Sequence, residues 1–139
     1  MKLKHTLSAK PKSGMTLLEL TVVILVLLSL ISILFIGARA WKKGSDRAAN
    51  ILNIRNVQQA VRGHANVRGL AISADLLSTD IVGSGRYLNA PIAPNTDIVY
   101  TGNYKLKVPD VGILYLAPTY TDAAATADFA PATTTITEW

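Results

Sequence analysis

The chain has 139 residues, 50% of them hydrophobic, and a formal net charge of +5. Four of its 14 basic residues lie in residues 1–14, which contain no acid, so the remaining ten face nine acidic residues and leave a net charge of +1. A nearly neutral body gives no basis for predicting nucleic-acid binding. Cysteine is absent from the sequence, which excludes disulfides, zinc–cysteine sites and thiol catalysis.

Residues 1–14 form a basic leader that ends at Gly14, and residues 15–38 are apolar with a single charge, Glu19. Spanning a bilayer takes about 20 residues at a rise of about 1.5 Å each, so this segment is long enough. An unpaired carboxylate in hydrocarbon costs several kcal/mol. Glu19 therefore requires a partner, unless it lies at the membrane interface and extends to the headgroups.

A conventional secretory signal is one interpretation of this region. Ala38-Arg39-Ala40 offers an A-x-A cleavage site, and cleavage after Ala40 would release an exported binding protein that begins at Trp41. The apolar segment is, however, longer than the usual signal core of about 7–15 residues. An uncleaved signal anchor accounts for the length but leaves Glu19 unexplained.

Residues 14–20 read GMTLLEL and lead into the apolar helix. This pattern resembles the N-terminus of type IV prepilins and type II secretion pseudopilins, and the helical pattern extends the likeness to about residue 67. The resemblance implies that a prepilin peptidase cuts after Gly14 in the cytoplasm and N-methylates Met15. It also implies that Glu19, at the fifth mature position, is the family's hallmark assembly residue.

The resemblance further implies a structural subunit of a type IV pilus-like filament that has no enzymatic activity. The alternative within the family is a type II secretion pseudopilin that acts in protein export. Implied partners are other copies of the chain, the prepilin peptidase and a membrane assembly platform. The precursor would lie in the bacterial inner membrane and the filament in the periplasm or outside the cell. No cofactor or metal is predicted.

In the filament that the resemblance implies, the Glu19 carboxylate of one subunit meets the Met15 amine of a neighbour. A buried charge pair costs far less than either charge alone, so such a pair would fix the register of neighbouring helices. The two groups are four residues apart, and pairing within one chain is equally open.

Residues 39–68 continue the helix with an amphipathic pattern. The apolar positions recur at three- or four-residue steps and predict one buried face: Ile51, Ile54, Val57, Val61 and Ala65. Gly44-Ser45-Asp46 offers a point at which one helix would stop and the next be capped. His64 lies on this helix and is predicted to be a surface residue, because the sequence places no ligand cluster near it.

Residues 69–117 predict a small α+β head with a three-stranded sheet. Two alternating runs, 97–101 and 104–108, flank Gly102-Asn103 and predict a tight hairpin whose apolar face packs on the helix. Residues 112–117 supply the third strand, and Asp75-Leu76-Leu77 a short helix. The predicted fold class is therefore α+β and pilin-like, with a long N-terminal α-helix, hydrophobic in its N-terminal half, packed on a small antiparallel sheet.

Residues 118–139 form a tail rich in alanine and threonine. It is predicted to be an extended surface segment, a last edge strand at residues 133–139, or an O-glycosylated stretch. Ordering against the head or a neighbour is favoured, because Phe129 and Trp139 would otherwise be exposed to water.

Overall fold

The computed structural model describes residues 14–139, so the predicted basic leader, Gly14 apart, lies outside the described residues. The helices are α1 (Leu17–Arg68), α2 (Ser78–Ile81), α3 (Ala123–Phe129) and α4 (Thr133–Ile136), and the strands are β1 (Ile98–Val99) and β2 (Thr119–Tyr120). The chain divides into two compact units, Met1–Ala38 and Arg39–Trp139. A long N-terminal helix and a small antiparallel sheet make the fold α+β.

Helix α1 is continuous over 52 residues and passes through Gly44-Ser45-Asp46 without a break. It ends where Gly69 adopts φ +63°, a conformation that glycine reaches without steric cost. The Leu70 amide donates to the Ala65 carbonyl at 2.8 Å and the Gly69 amide to the Asn66 carbonyl at 3.4 Å. These two bonds form a Schellman motif, which satisfies carbonyls that a helix end leaves without partners.

The described part of the first unit, residues 14–38, is the apolar part of α1. Its large hydrophobic side chains are exposed throughout, as illustrated by Leu25 at 69%, Leu34 at 70% and Ile36 at 72%. By length and composition this helix is able to cross a membrane.

The second unit, Arg39–Trp139, has its own hydrophobic core. One face of α1 supplies Ile54, Val57, Val61 and Ala65 to it, as the helical spacing predicts, while Ile51 is half-buried. The other core residues come from the segments that follow the helix: Leu76, Ile81, Ile98, Tyr100, Val108, Tyr115, Leu116, Ala125, Phe129 and Trp139.

The predicted hairpin of residues 97–101 and 104–108 is wrong. Strand β1 pairs instead with β2, with Ile98 opposite Tyr120, and Tyr104 forms an isolated antiparallel bridge with Leu116. Gly102, at φ +76°, therefore makes a turn inside one extended segment instead of joining two strands. The described residues contain a two-stranded sheet and not the predicted three-stranded one.

Residues 104–108 have two sets of hydrogen-bond partners. The Lys105 amide donates to the Tyr115 carbonyl at 2.7 Å, whereas the Leu76 amide donates to the Leu106 carbonyl at 2.9 Å. This change of partner leaves Leu106 64% exposed, although it was predicted to share the buried face with Ile98. The predicted short helix at 75–77 is displaced as well, because α2 begins at Ser78.

The tail is ordered on the second unit, in agreement with the favoured expectation, since Phe129 and Trp139 are buried. Its secondary structure differs from the prediction, because β2 opens it and α3 and α4 follow. Asp122 caps α3 by accepting a hydrogen bond from the Ala125 amide at 2.7 Å. The predicted edge strand at residues 133–139 is replaced by α4.

Candidate functional site

The helix start brings the predicted processing and assembly residues into one short segment. Gly14 and Met15 precede the first residue of α1 and are exposed, so the Gly14–Met15 bond lies outside the helix. Glu19 lies in the first turn of α1 and is also exposed. Among residues 14–139, the Glu19 carboxylate makes no hydrogen bond and no ion pair.

Thr16 caps this helix start, a role that the sequence analysis missed. The Glu19 amide donates to Thr16 Oγ1 at 3.3 Å, and the Leu20 amide donates to the Thr16 carbonyl at 3.1 Å. A threonine followed three residues later by glutamate is the signature of a capping box, so the signal was present in the sequence. Glu19 therefore has a local role as an acid in the first turn of the helix, where it also complements the helix dipole.

The hydroxyl groups inside the apolar segment are satisfied by the helix itself. Thr21 Oγ1 donates to the Leu18 carbonyl, Ser29 Oγ to the Val26 carbonyl and Ser32 Oγ to the Leu28 carbonyl, each at 2.8 Å. In hydrocarbon an unsatisfied polar group costs several kcal/mol, and these bonds remove that cost. Between residues 15 and 38, Glu19 is then the only side chain whose polar group requires a partner from outside its own helix.

Asn50 is the centre of a buried network that ties α1 to the C-terminal segment. Its Nδ2 donates to the Phe129 carbonyl at 3.0 Å and to the Tyr120 hydroxyl at 3.2 Å, and its Oδ1 accepts from the Tyr100 hydroxyl at 2.8 Å. Burial raises the pKa of both Tyr100 and Tyr120, so both hydroxyls keep their protons at neutral pH.

Gln58 binds the edge of the extended segment that precedes β2. Its Nε2 donates to the Ile113 carbonyl at 2.9 Å, and its Oε1 accepts from the Tyr115 amide at 2.9 Å. The Tyr115 hydroxyl in turn donates to the Leu76 carbonyl at 2.9 Å. Gln58 and Asn50 thus hold the head on α1 through hydrogen bonds that the apolar spacing did not predict.

His64 is buried, so the prediction of a surface histidine is wrong. Its ring makes an edge contact with Tyr87 at 5.2 Å between centroids. Within residues 14–139, no group of three or more histidine, aspartate and glutamate side chains is placed to hold a metal ion.

One groove of the second unit has a volume of about 440 Å³ and lies between α2 and residues 100–106. Tyr100 and Tyr104 line it together with Ser78 and Thr79, and the lining contains no charged side chain or histidine. Nucleophilic catalysis by serine or threonine requires an adjacent general base. This groove provides no carboxylate or histidine for that role, so Ser78 and Thr79 are not placed there as nucleophiles with a histidine or carboxylate base.

No protein-family model matches the chain, and no curated protein or solved structure matches it at a significant level.

Proposed function

We propose that the chain is a structural subunit of a type IV pilus-like filament. Cleavage after Gly14 would free an amine on Met15, and copies would assemble through the apolar helices of residues 15–38. The observation that carries the proposal is the exposure of that whole helix together with one unsatisfied carboxylate, Glu19, in its first turn. Such a surface is stable only in a membrane or among other apolar helices.

Two features of the helix start support cleavage after Gly14. The Gly14–Met15 bond is exposed and precedes the helix, and exposed irregular segments are where proteases cut most readily. The competing site after Ala40 lies inside α1, where the backbone is hydrogen-bonded on both sides. The signal-peptide interpretation therefore requires cleavage of a bond within a continuous helix.

Glu19 is proposed to pair with the Met15 amine of a neighbouring subunit, in addition to its role as an acid in the first turn of the helix. The apolar surface supplies adhesion without fixing the axial position of one helix against another. A charge pair in a low-dielectric filament core supplies that position, because a shift of one helical turn separates the charges.

Mass spectrometry of the mature protein from its native host tests the proposal directly. We expect a polypeptide that begins at Met15 and carries one methyl group on its amine. A polypeptide that begins at Trp41 would show that the chain is an exported protein with a conventional signal. Surface filaments that contain the chain would indicate a pilus, and a secretion defect without them would indicate a pseudopilus.

Glu19→Gln tests the pairing, because it removes the charge and keeps the backbone bond to Thr16. We expect normal cleavage after Gly14 and a loss of at least tenfold in sheared filament, since breaking a buried charge pair costs about 3–5 kcal/mol. Thr16→Val is the matched control, because it removes the cap and leaves the carboxylate. Filaments of Glu19→Gln with unchanged yield and helical rise would contradict the pairing.

A further inference from the structure

Trp41 follows the apolar segment by three residues and is 79% exposed, so the core of the second unit does not account for it. Tryptophan is enriched at the boundary between hydrocarbon and water, where its ring lies at the level of the headgroups. If residues 15–38 span a bilayer, Trp41 is at the position of such an anchor on the side where the second unit lies.

Three basic residues lie within two positions of Trp41 in the sequence. Arg39, Lys42 and Lys43 are spaced three and four residues apart on continuous helix, which places them on one side of α1. Two of them are already paired within the second unit, Lys42 with Asp46 at 3.4 Å and Lys43 with Asp128 at 2.6 Å.

The three basic residues line a surface hollow of about 330 Å³, and its other lining residues are Asp46, Asn95, Thr96, Asp97 and Phe129. Arg39 and Asp97 have no ion-pair partner among residues 14–139. The hollow therefore contains one guanidinium and one carboxylate that form no ion pair among these residues, and the carboxylate accepts a hydrogen bond from the Thr121 hydroxyl at 3.3 Å. Polar groups at Asn95 and Thr96 lie beside the carboxylate.

We propose that this hollow is a docking site for the headgroup of a zwitterionic phospholipid with a primary ammonium, such as phosphatidylethanolamine. The guanidinium of Arg39 would bind the phosphate, which it matches in geometry and charge. Asp97 would accept from the ammonium, and Trp41 would lie beside the acyl chains. The inference goes beyond assembly, because it requires only that residues 15–38 enter a bilayer.

The balance of charge selects this headgroup over an anionic one. An anionic headgroup would bring its negative charge close to Asp97 without compensation. A choline headgroup carries no N–H group that could donate to a carboxylate, so only its phosphate would be bound. The docked unit would be held against the membrane surface before assembly and released when its helix leaves the bilayer.

The test uses the full chain in phosphatidylcholine nanodiscs that contain an equal mole fraction of one brominated lipid. Bromine quenches tryptophan fluorescence, and the part of the quenching that is lost in Trp41→Phe reports on Trp41 alone. We expect brominated phosphatidylethanolamine to quench Trp41 about twofold more than brominated phosphatidylcholine, the ratio typical of one exposed charge pair. Arg39→Gln and Asp97→Asn should each bring the ratio close to one.

Lys105→Gln is the matched control, because Lys105 is an exposed lysine of the same unit that does not line the hollow, and it should leave the ratio unchanged. Equal quenching by all brominated lipids in the unsubstituted protein would overturn the proposal. Strongest quenching by brominated phosphatidylglycerol, with no effect of Asp97→Asn, would show a simple basic patch and would also overturn it. Neither outcome bears on cleavage at Met15, which mass spectrometry reads separately.

Discussion

Asn50 is a polar residue with no exposed surface, and its three hydrogen bonds join α1 to Tyr100, to β2 and to α3. Asn50→Ala leaves the Tyr100 hydroxyl without its acceptor, although that hydroxyl still accepts from Asn53, and it leaves the Phe129 carbonyl without its side-chain donor. Each unsatisfied buried group costs about 1–3 kcal/mol, so we expect a loss of about 3 kcal/mol in the free energy of unfolding. Urea unfolding followed by the fluorescence of Trp139 in a Trp41→Phe background measures it.

Asn66→Ala controls for the change in helix propensity, because Asn66 is an exposed asparagine of the same helix. It should alter the free energy of unfolding by less than about 0.5 kcal/mol. Equal effects of the two substitutions would show that the Asn50 network does not stabilise the second unit.

Burial raises the pKa of Tyr115 to about 12, with a smaller contribution from the charge of Asp80. Because the unfolded tyrosine titrates near 10, the folded state holds this proton more tightly. The stabilisation is complete below pH 10 and is lost as the pH rises to about 12. We expect the urea midpoint to fall with pH across that interval.

Tyr115→Phe removes one of the buried tyrosine hydroxyls whose ionisation destabilises the fold, so the urea midpoint should fall less steeply with pH. Burial also raises the pKa of Tyr100, Tyr104 and Tyr120, and a smaller slope should therefore persist. Tyr87→Phe is the comparison, because Tyr87 is 51% exposed and lies outside the hydrophobic core. A slope that does not differ between the two variants would argue against a buried Tyr115 proton.

At the scale of elements, the sequence predicted α1 well, because a helix closes its own hydrogen bonds and its buried face follows a local period. Ile54, Val57, Val61 and Ala65 illustrate this. The head was predicted poorly, because single bridges between distant segments leave little alternation to detect. Gly102-Asn103 had the composition of a hairpin turn, yet the Asn103 side-chain amide donates to the Val99 carbonyl and to the Thr119 hydroxyl, and the segments on either side of it pair with residues 116–120.

Gly63 lies inside α1, and a Cβ added there meets no atom within 4 Å. Glycine in a helix costs about 1 kcal/mol relative to alanine, so Gly63→Ala should raise the free energy of unfolding by about that amount.

Gly112→Ala is the opposite case, because Gly112 has φ +82° and its added Cβ would lie 3.8 Å from Thr137. We expect it to destabilise by about 1 kcal/mol or more. Thermal unfolding of both variants in micelles measures whether each substitution stabilises or destabilises the protein.

At the scale of the whole chain, exposure and burial are divided between the two units. Among residues 14–139, every buried residue lies in Arg39–Trp139, and the exposed apolar surface of residues 17–36 lies in Met1–Ala38. A chain arranged in this way hides its apolar helix by entering a bilayer or by packing against copies of itself. The sequence predicted this division from the position of the apolar run alone, whereas the residues that hold the second unit together became visible only in the structure.

The same division predicts that residues 39–139 fold without the segment before them. All core residues and both ion pairs are retained in this fragment, so its midpoint of thermal unfolding should lie within a few degrees of that of the full chain in micelles. Near-UV circular dichroism of the fragment without detergent checks the packing of Tyr115 and Trp139. A shorter fragment that also lacks residues 130–139 is the comparison. It should be less stable, because it loses Trp139 and exposes the core residues around it. A fragment that requires detergent to fold would mean that the apolar helix stabilises the second unit.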